Sequence, residues 1–275
     1  MFKKKKNNIY NLQIICKYIT INFIRKIYLL SSSLLYSIQI RVPRDEENTS
    51  FNFQYDKFID NLCNKPLKRW SSKSTLFTIW FGTNDIIYMN HDQGVSSRDI
   101  IDNIIRIIFD KVQGLYNHGA KNFLFIYVPT IEKSPLNKDN SLYLGYSDTT
   151  YYNDKIKNYA INFANTHSDC NVFIYDAYME YNYILENKEE FGIENISDNC
   201  QSSKEKCGKD TKYFWYNDIQ PSYRVQEALG QDIHEFLTSR QVVIHNSKVI
   251  SAASTINFKN LLLWNAILFL VFIFF

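Results

Sequence analysis

The sequence predicts an α/β domain built on a parallel sheet, and three observations carry that expectation. Short continuous apolar runs recur at Leu76–Phe81, Phe123–Val128 and Asn171–Tyr175, each closed by Gly82, Pro129 or Asp176. Apolar residues repeat at helical spacing between them, and strand and helix alternate along the chain. A strand exposed on one face alternates polar with apolar residues, whereas a strand covered on both faces is apolar throughout, as these runs are. Alternation of strand and helix then favours a parallel sheet with helices packed against it.

Each element follows from its own residues. Leu76-Phe-Thr-Ile-Trp-Phe81 is rich in β-formers and ends at a glycine. Asp99 to Phe109 places isoleucines at i, i+3 and i+4, the stripe of an amphipathic helix. Tyr152–Asn165 and Pro221–Leu237 repeat the pattern, the second with a proline at the expected helix start. Asp218 just upstream is a candidate cap for that helix.

Composition excludes more than it proposes. The chain has 275 residues, 45% hydrophobic and 21% charged, enough for one sizeable domain. A net charge of +3, concentrated at Lys3–Lys6, gives no case for a nucleic-acid partner. Twenty Tyr and 20 Phe alongside abundant Asn, Lys and Ile fit A/T-rich codons, so aromatic richness alone says nothing of carbohydrate binding. Cys200 and Cys207 share a short polar loop that suits a disulfide, and no histidine flanks them to complete a zinc site. No cofactor motif is present. Asn48-Thr49-Ser50 and Asn195-Ile196-Ser197 are N-glycosylation triplets, a mild argument for secretion.

The ends read as additions to the domain. Residues 1–44 combine a basic start with apolar stretches broken by Lys17, Arg25 and Lys26, and read as a poorly formed secretory signal or as a stretch foreign to the native start. Residues 261–275 form a terminal apolar tail, preceded at 241–260 by a linker with the small residues Ser251-Ala252-Ala253-Ser254. Small residues, polar spacer and apolar tail suggest a GPI-attachment signal; a retained membrane anchor is the alternative. The expected location is therefore secreted or at the cell surface.

Within residues 45–240 lies Phe81-Gly82-Thr83-Asn84-Asp85, directly after the first apolar run. Three further stretches follow in order: "LYNHGAKNFLFIYVPTIEKSP", "NVFIYDAYMEYNYILENKEEFGIENISDNC" and "YFWYNDIQPSYRVQEAL". Together they resemble the SGNH/GDSL hydrolases, in particular the fungal branch classed as carbohydrate esterase family 16. The resemblance implies a flavodoxin-like three-layer sandwich that hydrolyses carboxyl esters, often acetyl groups on plant polysaccharides. It makes Gly82 and Asn84 the oxyanion-hole positions. It also exposes departures. The family's Gly-Asp-Ser turn occurs nowhere in these 275 residues. Gly145-Tyr-Ser147-Asp148 is misplaced, and Ser31–Ser33 lack the surrounding Gly and Asp. The closing Asp-x-x-His-Pro is here Asn217-Asp218-Ile219-Gln220-Pro221, so Asn217 holds the acid position and Gln220 the base position. His91, His118, His167, His234 and His245 have no matching context, and His234 reads as a surface residue.

The family's first strand is thus missing or replaced. Ile27–Ile40 is one segment able to fill its slot beside Leu76–Phe81; otherwise that apolar edge needs a partner, or the chain is a fragment. The functional expectation is an ester-hydrolase homologue without turnover. The alternatives are a carbohydrate-binding surface module with Trp80, Tyr88 and Trp215 lining the old groove, residues that read more readily as core, and an active hydrolase with an unconventional serine.

Overall fold

The computed structural model describes residues 26–31, 51–64, 70–89, 94–138, 146–203, 207–239 and 250–252. Five parallel strands make the main sheet in the order β1 (Lys26–Ser31), β2 (Thr75–Trp80), β3 (Asn122–Ile126), β4 (Asn171–Tyr175) and β7 (Ile250–Ala252). A separate two-stranded ribbon pairs β5 (Asn195–Asn199) with β6 (Tyr213–Trp215). The helices are α1 (Phe51–Phe58, running into a π turn at Ile59–Cys63), α2 (Thr83–Ile87), α3 (Ser97–Asn117), α4 (Tyr146–Thr166), α5 (Ala177–Glu186) and α6 (Tyr223–Ser239). This is the expected α/β fold, with helices on both faces of a parallel sheet.

The three layers follow from the two-residue period of a strand. Phe77 and Ile79 of β2, Phe123 and Phe125 of β3, and Val172 and Ile174 of β4 enter one core with α1 to α4. The alternate residues Leu76, Leu124, Ile126, Phe173 and Tyr175 enter a second core with α5 and α6. The isoleucine stripe of α3 supplies the first core with Ile101, Ile104, Ile105 and Ile108, and Phe109 stacks on Phe125 at 5.0 Å between ring centroids. Ser96 caps α3 by accepting from the Arg98 amide, and the helix ends where Gly119 turns left-handed at φ 101°.

Several boundaries correct the sequence expectations. The residues foreseen as ends outside the fold supply both edge strands. Lys26–Ser31 pairs in parallel with Thr75–Trp80 in register, so the slot beside β2 is filled by the start of the Ile27–Ile40 window and the residue before it. Ile250–Ala252, foreseen as linker and including two residues of the expected attachment site, pairs with Phe173–Tyr175. The physical reason is shared: β2 and β4 are apolar on both faces, and a parallel strand alongside satisfies their outer peptide groups. Pro221 does not open α6; it bridges to Trp215, and the helix starts at Tyr223. Asn48 and the 261–275 tail lie outside the described residues, and no described helix is long and apolar enough to cross a membrane.

Candidate active site at the carboxyl ends of the strands

In an open parallel sheet the strands' carboxyl ends and following loops form the binding crevice. Beyond β2 the chain passes Phe81 and turns at Gly82, whose φ of 113° is left-handed. The turn begins α2: Ile86 N donates to the Gly82 carbonyl and Tyr88 N to the Asn84 carbonyl, each at 2.9 Å. Asn84 is half-buried on this first turn. A Cβ on Gly82 would stand 2.3 Å from Cζ of Tyr152, so glycine is required by both backbone and space. Tyr152 is fully buried, its hydroxyl has no hydrogen-bond partner among the described residues, and burial, then the Asp85 charge, hold its phenol far above the usual range.

Beyond β3, the side chain of Asn153 grips Val128 at both backbone groups, accepting from its N and donating to its O at 2.9 Å each. Two short 3₁₀ turns follow, Ile131–Lys133 and Pro135–Asn137. Glu132 Oε1 accepts from Thr130 Oγ1 at 2.7 Å and from the Tyr178 hydroxyl. Beyond β4, Asp176 caps α5 by accepting from Met179 N at 2.9 Å, and burial raises its carboxyl above the ordinary value.

The turn after β6 carries Asn217 and Gln220, the residues the sequence resemblance sets at the acid and base positions. Asn217 Oδ1 accepts from Ile219 N at 3.0 Å and from Gln220 N at 2.7 Å, folding the segment into an Asx turn. Asn217 Nδ2 donates to Gln220 Oε1 at 3.0 Å. The side chains of Asn217 and Gln220 therefore touch, as two neutral amides. Tyr216 N donates to the Gln220 carbonyl at 2.8 Å, and Ile219 packs against the same core as Phe81 and Ile86.

Other foreseen roles change. Asp218 does not cap α6: its Oδ1 accepts from Asn199 Nδ2 at 2.6 Å and its carbonyl from Leu136 N at 3.0 Å, five residues before the helix. His234 is half-buried in α6 rather than at the surface, and desolvation lowers its pKa. Trp215 cannot line a groove, being fully buried with its indole N–H on the Ile196 carbonyl at 2.9 Å. Trp80 packs against the second core, while Tyr88 is exposed. His118 and His167 bond the Gly114 and Phe163 carbonyls one turn back and close their helices. Ser147 sits exposed in the first turn of α4. Cys200 and Cys207 are joined by a disulfide, and Asn195 opens β5 with its side chain accepting from Ser197 N and Asp198 N. Sequence reasoning missed Tyr152, Asn153 and Asn199, polar residues in helical or loop pattern with nothing to mark their long-range contacts.

A family model described as GDSL-like lipase/acylhydrolase matches residues 34–233. An acetylesterase of Thermothelomyces thermophilus is 24% identical over 189 residues, covering 67% of this chain and 60% of that protein. The chain thus spans about 60% of the length of that relative. With the three-layer parallel fold and the glycine–asparagine turn after β2, these matches assign the chain to a family: it belongs to the GDSL-like lipases/acylhydrolases.

Proposed function

We propose that this chain keeps the scaffold of a carboxylic-ester hydrolase but does not turn over esters. The observation that carries the reading is the Asn217–Gln220 amide pair at 3.0 Å. In serine-type ester hydrolysis a base takes the nucleophile's proton and an acid orients that base. A glutamine amide accepts no proton near neutral pH, and its carbonyl oxygen here already accepts from Asn217. Loss of the base alone costs on the order of 10⁶ in turnover. Oxyanion contacts and binding would leave at most ~10³ to 10⁴ over water. Gly82 and Asn84 are the oxyanion-side remnant of this reading.

The similarity to an acetylesterase supports acetyl esters as the ancestral substrate class, and plant polysaccharide as their carrier is part of the same proposal. The Cys200–Cys207 disulfide supports an oxidising location, secreted or at the cell surface. The test is to incubate the purified chain with p-nitrophenyl acetate and with acetylated xylan. Release of p-nitrophenol and acetate at the buffer rate is expected; saturable release would overturn the reading.

A further inference from the structure

The turn at residues 217–220 is held from outside itself, by the side chain of Asn199. Asn199 ends β5 and is buried. Both ends of its amide are used: Oδ1 accepts from Ser202 N at 2.8 Å, and Nδ2 donates to Asp218 Oδ1 at 2.6 Å. Asp218 lies between Asn217 and Ile219, so this bond grips the turn at its middle. A hydrogen bond to a carboxylate is about twice as strong as one between neutral groups.

The segment carrying Asn199 is itself anchored. Cys200 N donates to the Trp215 carbonyl and Gln201 N to the Tyr216 carbonyl, each at 3.0 Å, and the Cys200–Cys207 disulfide closes the loop that follows. On the other side Leu136 N reaches the Asp218 carbonyl at 3.0 Å. Asp218 thus connects three segments: the end of β5 through its side chain, the loop after β3 through its backbone, and the turn it belongs to.

We propose that Asn199 is the positioning residue of the acid/base turn, acting through Asp218 to fix where the side chains at 217 and 220 stand. This rests on the reading of residues 217–220 as the family's acid/base turn. The Asx turn sets the shape of that segment, whereas the Asn199–Asp218 bond sets its place relative to the strands. The bond is available whether residues 217 and 220 are amides or an acid and a base.

Amide hydrogen exchange tests the clamp in the full chain. The Ile219 and Gln220 amides should lose protection roughly five- to tenfold in N199A and in D218A, with β3 amides unchanged. The double variant should lose no more than either single one, because both remove the same bond. Unchanged protection, or losses that multiply in the double variant, would overturn the proposal. Asp218 is exposed, so D218A decides the matter even if N199A does not fold.

A second arm separates position from mere stability. In N217D/Q220H the introduced imidazole should titrate above its ordinary ~6.5, because it faces the introduced carboxylate. Adding N199A should bring it back down although the Asp218 charge remains. An imidazole raised in N217D/Q220H and unmoved by N199A overturns the positioning role. An imidazole at its ordinary value even with Asn199 present overturns the acid/base reading of the turn instead, so the two failures are distinct.

Discussion

Gly82 and Tyr152 show how tightly single residues set the turn after β2. Gly82→Ala would combine a left-handed backbone with a Cβ 2.3 Å from the Tyr152 ring. It should destabilise the protein by about 2–4 kcal/mol, read as a lowered urea midpoint with unchanged slope. Tyr152→Phe removes a buried hydroxyl that has no partner among the described residues. It should be neutral or stabilise by up to about 1 kcal/mol in the same measurement, because an unsatisfied polar group is relieved without opening a cavity. The turns that hold Gly82, Asn84, Asn217 and Gln220 were legible in the sequence because each sits at a fixed offset from a strand end or a proline. Tyr152 was not, because its position in a helical stripe gives no sign that the ring runs under a loop about 70 residues earlier. Asp218 was misread for a related reason: a carboxylate just upstream of a helix looks like a cap until a distant amide is seen to claim it.

The layer formed by β4, α5 and α6 contains an unusual pair of buried acids. Glu180 of α5 and Asp232 of α6 are both buried, and the Tyr175 hydroxyl of β4 donates to Asp232 Oδ2 at 2.5 Å. Burial first, and then the Asp232 charge, push the Glu180 carboxyl up to about 8. Because the folded value lies above the unfolded one, the folded state holds the extra proton. The stability this contributes is present below the ordinary carboxylate value, about 4.5, and is lost as pH rises through about 8. The wild-type urea midpoint should therefore fall between about pH 5 and pH 8, and Glu180→Gln should flatten that slope; parallel profiles would contradict the assignment. At this scale the central strands and long helices were legible because their apolar periods are unbroken. Helix α5 was not read from periodicity, since Ala177–Glu186 mixes tyrosines with polar residues. The edge strand β7 was missed because its segment reads as a linker before a targeting signal, whereas β1, but for Lys26, falls in the window named as one able to fill the slot beside β2.

Across the molecule, the sheet is complete only with its edge strands. β2 is buried on both faces, and β1 alone covers its outer peptide groups among the described residues. A variant lacking residues 1–32 should expose that edge and aggregate, visible as light scattering at concentrations where the full chain stays clear. A monomeric, fully folded truncation would show that β1 is dispensable. The fold class was legible as a whole because it depends on residue pattern alone, and the family because four blocks keep their order. What covers each edge depends on pairing between segments far apart in sequence, which no local pattern encodes.

On the proposed reading, an ester-hydrolase scaffold carries the Asn217–Gln220 amide pair where an acid and a base would act. The most direct test of that reading is the rate of p-nitrophenyl acetate hydrolysis by the purified chain, with a fluorophosphonate probe and peptide mapping run on the same sample. Hydrolysis at the buffer rate and no labelled serine are expected. Saturable turnover together with a label on one serine of this chain would contradict the reading.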